Sequence, residues 1–107
     1  MTTWTPAKLA FIQLANAKGD IYDSGANIGL VHNILIHNAN TTTETVVINL
    51  HDGTNEYQIY KIDLTANTTV QPSYGGEGLV VDAASKLTGN TTTASKVTCA
   101  VFGTTRS

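Results

Sequence analysis

Apolar and polar residues alternate through the middle of the chain, between residues 28 and 64. The clearest stretch places Val46, Ile48 and Leu50 on one parity, with mostly polar residues between them. Alternation with a period of two is typical of a β-strand that buries one face and exposes the other. We therefore predict a strand here whose three aliphatic side chains point into a core.

The same alternation returns near the end of the chain. Val97, Cys99 and Val101 share one parity in a predicted strand at residues 96–102. Cys99 is the only cysteine, so no disulfide can form within the chain. A free cysteine on the apolar parity of a strand is typical of a core residue, because it behaves as a small apolar side chain. We predict that Cys99 is buried and unreactive.

A hairpin follows the central strand, with Asp52-Gly53 as its tight turn, since glycine adopts positive φ without steric cost. The returning strand, residues 56–64, changes phase, because its apolar residues shift parity between Ile59 and Tyr60. Such a change predicts a β-bulge or a strand that leaves one sheet for another.

The flanking segments also favour strands. Residues 7–15 carry apolar side chains on both parities, which fits a short helix or a strand buried on both faces. We favour the strand, because the segment has no convincing helix start. In the predicted strand at residues 29–38, Leu30, Ile34 and Ile36 are expected on one face.

About eight short strands with polar turns between them predict an all-β fold. We expect an antiparallel two-sheet β-sandwich that is jelly-roll-like in its wiring. The expected organisation is an N-terminal arm at residues 1–6, a β-sandwich domain at residues 7–103 and a short C-terminal tail at residues 104–107. A chain of 107 residues is expected to form one domain with a modest core.

Charge is sparse along the chain. Six basic and eight acidic residues give a net charge of −2, and the basic residues form no run, which argues against nucleic-acid binding. Neither a signal peptide nor a membrane span is expected from the apolar segments. We expect synthesis in a reducing cytoplasm, with no membrane partner. A surface of neutral polar groups tolerates close packing against other protein.

The sequence offers few candidates for metal ligands or catalytic residues. His32 and His37 are five residues apart on one predicted strand and are expected on opposite faces, so they cannot chelate a metal together. His51 and Asp52 are adjacent, so their side chains diverge, and Asp52 is better explained as a turn residue. No Gly-x-Ser-x-Gly motif is present in the sequence. We therefore expect no enzyme activity, no metal and no cofactor.

Aromatic residues are the remaining candidates for contacts. Trp4 lies outside the strand pattern in the predicted arm, Pro6 ends that arm, and Tyr74 lies in a glycine-rich loop at residues 73–78. We expect Trp4, Pro6 and Tyr74 to contact another protein, because buried aromatics frequently anchor interfaces. Two alternatives stay open: an aromatic platform for carbohydrate, and a Trp4 side chain that folds back onto its own sandwich.

Four segments, taken in order, resemble a group of small virion proteins of tailed bacteriophages. They are AKLAFIQLANAKGDIYDSG, LVHNILIHNANTTTETVVINLHDG, EYQIYKIDLTANTTV and GEGLVVDAASKLTGNTTTASKVTCAVFG. The likeness covers most of the chain and lies in strand order and turn residues rather than in a chemical motif. At residues 23–27 the chain has Asp-Ser-Gly-Ala-Asn where the group has an apolar-Pro-Ala-Gly turn.

The resemblance implies a non-enzymatic β-sandwich that coats or completes a phage particle. Capsid decoration, as cement on the outside of the head, is the first expectation, and a tail- or portal-associated position is the second. A receptor- or carbohydrate-binding module is a further alternative. The resemblance also implies a homotrimer whose partners are the major capsid protein or other virion proteins, and it supplies no catalytic residues.

Overall fold

The computed structural model of the protein describes residues 4–72 and 78–106, and all regular structure in them is β. The strands are β1 (Trp4–Gln13), β2 (Gly19–Asp23), β3 (Ile28–Asn38), β4 (Glu44–His51), β5 (Glu56–Leu64), β6 (Thr69–Val70), β7 (Leu79–Val81), β8 (Lys86–Asn90) and β9 (Val97–Arg106). The predicted all-β class is confirmed, and β1 confirms the strand favoured near the N-terminus. None of the described residues forms a helix able to cross a membrane.

The nine strands of the described residues form two antiparallel sheets. The larger sheet has the order β1-β9-β3, and the short strands β6 and β7 both pair with the remaining side of β3. The smaller sheet has the order β2-β8-β4-β5. The predicted two-sheet antiparallel sandwich is therefore confirmed.

The core lies between the sheets and takes aliphatic side chains from both. Five of the six side chains predicted to point inward are fully buried: Val46, Ile48, Val97, Cys99 and Val101. The sixth, Leu50, packs against this cluster but is only partly buried. The two alternating segments of the sequence therefore supply opposite walls of one core, β4 from the smaller sheet and β9 from the larger.

The phase change in β5 is a bulge. Ile48 pairs with Tyr60, whereas the next residue of β4, Asn49, pairs with Gln58, so Ile59 is an extra residue. A bulge of this kind lets apolar residues on both parities of one strand pack against the same core. The predicted bulge is confirmed, and β5 stays within one sheet.

A second bulge, in β3, is hidden in the sequence pattern. The register of β3 on β9 shifts between Val31 and Asn33, so His32 is an extra residue. On the N-terminal side of this shift, Val31 is fully buried and Leu30 takes the opposite face. The prediction that Leu30 shares the inward face with the isoleucines further along β3 is wrong, because one inserted residue reverses the parity.

The apolar segment that follows the glycine-rich loop divides between the two sheets. β7 pairs with β3 in the larger sheet, and β8 pairs with β2 and β4 in the smaller one. Ser24 holds the crossing at residues 82–85, since its Oγ lies 2.5 Å from the carbonyl oxygen of Asp82 and 2.8 Å from that of Ser85. The polar turn predicted from Gly89 begins later, because β8 continues to the next residue.

The two ends of the described chain lie side by side. In the register of β1 on β9, Trp4 pairs with Arg106 and Pro6 pairs with Thr104. The described residues of the predicted arm and tail are therefore strand residues of the larger sheet. The rest of the predicted arm, residues 1–3, lies outside the described residues.

Candidate protein-contact face

Two of the three predicted contact residues lie together at the start of one strand. Trp4 and Pro6 open β1, at one edge of the larger sheet. Tyr74 lies outside the described residues, but the flanking Pro72 lies beside β3, where its carbonyl oxygen accepts a hydrogen bond from the Ile34 amide at 3.4 Å. β9 and β3 therefore separate the start of β1 from the residue that leads into that loop.

The central strand β9 shows how the two faces of the larger sheet divide. Thr98, Ala100 and Phe102 point outward, because the residues that alternate with them are buried in the core. Ala100 is nevertheless only 2% exposed. Phe11 of β1 and Leu35 of β3 flank it in register. Neighbouring side chains on the outer face therefore shield this alanine from water.

Large apolar side chains lie on this outer face. Phe11 is 62% exposed, Val80 is 54% exposed and Phe102 is 38% exposed. Leu35 and Leu30 are half-buried on the same face. Leu30 pairs with Val80. We call the surface formed by these five side chains the contact face. Single exposed apolar residues are ordinary, but a connected group on one face is typical of a protein-contact site.

The contact face was missed in the sequence, although part of its signal is present there. Phe102 stands on the parity opposite to Cys99 and Val101, where a strand with one wet face carries polar residues. Phe11 gives no such signal, because its segment is apolar on both parities. Val80 belongs to a strand too short for its parity to be informative.

The strands beneath the contact face are poor in charge. The larger sheet contains two charged residues, Lys8 on the edge strand β1 and Arg106 at the end of β9. The smaller sheet contains seven, which are Asp20, Asp23, Glu44, Glu56, Lys61, Asp63 and Lys86. Most of the charged strand residues therefore lie in the smaller sheet.

Ion pairs mark the smaller sheet. Lys18 Nζ lies 2.7 Å from Glu56 Oε1, and Lys86 Nζ lies 3.0 Å from Asp20 Oδ1. The hydrogen bond to Asp20 raises the pKa of Lys86, and the hydrogen bond from Lys18 helps to lower the pKa of Glu56. Partly exposed pairs of this kind suit a surface that stays in water.

Asp52 and His51 serve the hairpin turn between β4 and β5. Asp52 Oδ1 accepts hydrogen bonds from the backbone amides of Asn55 at 2.7 Å and Thr54 at 2.9 Å, and these bonds hold the pKa of Asp52 below its usual value. His51 Nδ1 accepts a hydrogen bond from the Gly53 amide at 3.0 Å. The prediction that Asp52 is a turn residue is confirmed.

The two histidines on β3 have structural positions rather than a shared site. His37 Nδ1 lies 2.7 Å from Thr69 Oγ1, so it ties β3 to the short strand β6. His32 is the extra residue of the β3 bulge. Within the described ranges, no group of three or more His, Cys, Asp or Glu side chains is placed to hold a metal ion.

Cys99 is fully buried in the core, as predicted. Burial raises the pKa of its thiol to about 12. The thiolate is the reactive form of cysteine, so the thiol of Cys99 is inert near neutral pH.

The described tyrosines do not form a shared aromatic platform. Tyr22 and Tyr60 pack against the core, and burial raises the pKa of both phenols. Tyr57, at 53% exposed, is the exposed member of the three. It lies on β5 of the smaller sheet, where it pairs with Leu50, whereas the contact face lies on the larger sheet.

The chain resembles known proteins in its fold but not in its sequence. No protein-family model matches the chain, and no curated protein sequence matches it. A chain of the T13 particle of infectious bursal disease virus is similar over 99% of this chain and 30% of its own length, with a TM-score of 0.56 and 10% identity. A chain of the Gx strain of the same virus matches 98% of this chain and 31% of its own length, with a TM-score of 0.56 and 11% identity.

A pentameric capsid protein from metagenomic phage sequences is similar to a lower degree. The match covers 91% of this chain and 61% of the length of that protein, with a TM-score of 0.41 and 17% identity. This chain spans about a third of the length of the two infectious bursal disease virus chains. The fold is thus a β-sandwich that chains of virus particles also contain.

Proposed function

We propose that this chain is a non-enzymatic structural protein of a bacteriophage virion, and that it is a decoration, or cement, protein bound to the outside of the head. The observation that carries the proposal is the contrast between the outer faces of the two sheets. One face presents Phe11, Val80 and Phe102 on a charge-poor sheet, and the other sheet carries ion pairs. A subunit built this way suits an assembly, because one side is fit to lie against protein and the other against water.

The proposed partners are the major capsid protein and further copies of this chain. Cement proteins gain affinity by repeating a small contact around the symmetry axes of a particle. The resemblance to phage virion proteins favours a homotrimer with jelly-roll-like wiring. The shared fold with virus-particle chains agrees with a virion location and leaves the position on the particle to experiment.

Trp4, Pro6 and Tyr74 are proposed to contact the capsid. Trp4 and Pro6 open edge strand β1, whose backbone pairs only with β9 among the described strands. Residues 1–3 precede this edge, and the loop that holds Tyr74 precedes β7. Aromatic residues at such positions can fill pockets of a larger subunit without disturbing the sandwich. An apolar and neutral-polar attachment of this kind depends little on salt.

An add-back experiment tests the proposal. Heads purified without the protein are mixed with the full chain, and occupancy is measured by imaging at low and high salt, together with the temperature at which heads release DNA. We expect saturable binding to the outside of the head, a higher release temperature and similar occupancy at both salt concentrations. Protein found only at the tail or portal, or none on the particle, would contradict head decoration.

A matched pair of variants tests the attachment residue. Trp4→Ala removes the proposed anchor, whereas Tyr57→Ala removes an exposed aromatic from the smaller sheet. Truncation of an aromatic anchor weakens binding by about 30-fold or more, so we expect a loss of occupancy for the first variant only. Both variants are checked for a cooperative melt. Full occupancy by a folded Trp4→Ala protein would exclude Trp4 as an anchor.

A further inference from the structure

We infer that the contact face is covered by a second copy of this chain, so that the protein associates with itself through the outer side of its larger sheet. The inference names one partner for a surface that the proposed function leaves general. It does not need a virus particle, because contact between copies forms in solution. The capsid contacts proposed above, Trp4, Pro6 and Tyr74, are not among the five residues that define the contact face, although Pro6 and Leu30 both pair with Thr104.

Exposure is the first argument. Phe11, Val80 and Phe102 leave much of their apolar surface in water in a single copy of the chain. Phe11 and Phe102 stand on the paired strands β1 and β9, and β3 separates β9 from β7, which carries Val80. All three face the same side of one sheet, so one flat partner can cover them. Contiguous apolar surface of this kind is uncommon on monomers and is typical of interfaces.

The size of the sheet is the second argument. β3 has 11 residues, which corresponds to about 36 Å at about 3.3 Å for each residue. β1 and β9 are nearly as long as β3, whereas β6 and β7 have two and three residues, and adjacent strands are spaced by about 4.8 Å. The outer side therefore offers roughly 600 Å² before the relief of its side chains is counted. The smaller stable interfaces bury about 600 Å² on each partner, so a contact of that size would use most of this surface.

Charge distinguishes a second copy from an unlike partner. Association between copies brings equivalent surfaces near each other, so fixed charges on a contact surface risk facing like charges. The larger sheet has its two charged residues at its border, Lys8 on the edge strand and Arg106 at a strand end. In the register of β1 on β9, Lys8 pairs with Phe102, so one charged position borders the contact face, while the middle of β9 and all of β3 carry no Asp, Glu, Lys or Arg. Two copies that meet through the contact face therefore bring fixed charge together only at its border. The contact face also offers no charge pattern that would select an unlike partner.

The structure favours contact through the face over pairing through the edge of the same sheet. Edge strand β1 contains Pro6, which has no amide hydrogen to donate, and Lys8. Its register on β9 also shifts between Lys8 and Ala10, which is the mark of a bulge. Proline, lysine and bulges are the features that discourage edge-to-edge strand addition.

Sedimentation of the full chain tests the inference. We expect the wild-type protein to be oligomeric at micromolar concentration and the Phe11→Glu/Phe102→Glu double variant to be monomeric, with association weakened by about 100-fold or more because like charges would face one another. Tyr57→Glu is the matched control, since Tyr57 lies on the smaller sheet and its exposed fraction falls between those of Phe11 and Phe102. It should sediment as the wild type does. Circular dichroism and a cooperative melt establish that each variant is folded.

A second measurement uses the wild-type protein alone, in case the double variant does not fold. Hydroxyl-radical footprinting is carried out at concentrations above and below dissociation. Phe11 and Phe102 should become protected at high concentration, while Tyr57 should not. A wild-type monomer at all concentrations, an oligomer that survives the double variant, or equal labelling of all three aromatics would overturn the inference. A monomer that still decorates heads would overturn it together with the proposed homotrimer, and would leave the proposed head decoration standing.

Discussion

The larger and smaller sheets have similar inner faces and different outer faces. Ile34 of β3, Ile48 of β4 and Leu87 of β8 are all fully buried in one core cluster. Outside, the larger sheet presents Phe11 and Phe102, whereas the smaller sheet presents ion pairs. The inner faces satisfy what any sandwich requires, which is burial of one side of each sheet. The outer faces are free of that requirement, so the sandwich fold by itself does not explain their difference.

The edge strand β5 adds to the polar character of the smaller sheet. β5, the exposed edge of the smaller sheet, contains Lys61 and Asp63 and is bulged at Ile59. Charges and bulges on an edge strand discourage addition of another strand. The smaller sheet is therefore suited to solvent on its edge as well as on its face, while the larger sheet concentrates its apolar surface on the face.

The largest expected effect tests whether the inner faces are equivalent. Ile34→Ala in the larger sheet and Ile48→Ala in the smaller sheet each delete a fully buried aliphatic group. Each should lower the free energy of unfolding by about 2–5 kcal/mol, because a cavity is left in addition to the lost burial. Urea denaturation measures both, and Lys61→Ala on the exposed edge serves as a control within about 0.5 kcal/mol. A cost near zero at either isoleucine would show that the two walls of the core are not equivalent.

Glu44 is the exception among the charges of the smaller sheet, because it is 1% exposed. Its carboxylate accepts hydrogen bonds from the Thr93 amide at 2.7 Å, from Thr91 Oγ1 at 3.0 Å and from Asn40 Nδ2 at 3.1 Å. Burial alone would raise the pKa of Glu44, but these neutral donors outweigh it and hold the pKa below its usual value. The side chain therefore fastens two loops at one end of the sandwich.

The intermediate effect concerns this buried carboxylate. Glu44→Gln replaces one acceptor oxygen by an NH₂ group and should cost about 1–3 kcal/mol at neutral pH. The lowered pKa means that the folded state binds the proton less readily than the unfolded state. The contribution of Glu44 to stability is thus present above about pH 4.3 and is lost as the pH falls through the folded-state pKa. Chemical denaturation from pH 7 to pH 3 should show the gap between wild type and variant closing on acidification. A gap that is constant with pH would contradict this account.

The smallest effect concerns the ion pairs of the smaller sheet. Lys18→Met keeps most of the side-chain stem but removes the charge that faces Glu56. The melting temperature should fall by about 3 °C at most, because exposed pairs gain little after solvation and side-chain ordering are counted. The difference should shrink further when salt is added. A much larger loss, insensitive to salt, would mean that the pair is structural and that this surface differs from a solvent-facing one.

The sequence by itself determined the class of the fold and much of its core. Period-two alternation specifies a strand and its buried parity within a few residues, so Val46, Ile48, Val97 and Val101 were found without any tertiary information. The lone Cys99 was placed correctly for the same reason. The β5 bulge was also visible, because a phase change leaves a mark within one strand.

Only the tertiary structure decided how these strands share two sheets. The β3 bulge at His32 leaves no clear mark in its own segment, since its existence depends on the pairing with β9. The crossing between β7 and β8 is hydrogen-bonded to Ser24, which lies about sixty residues away in the chain. The contact face likewise combines Phe11, Leu35 and Phe102 from three strands that are distant in sequence. Strand register and sheet membership arise from such distant contacts, and a local pattern of apolar residues carries no record of them.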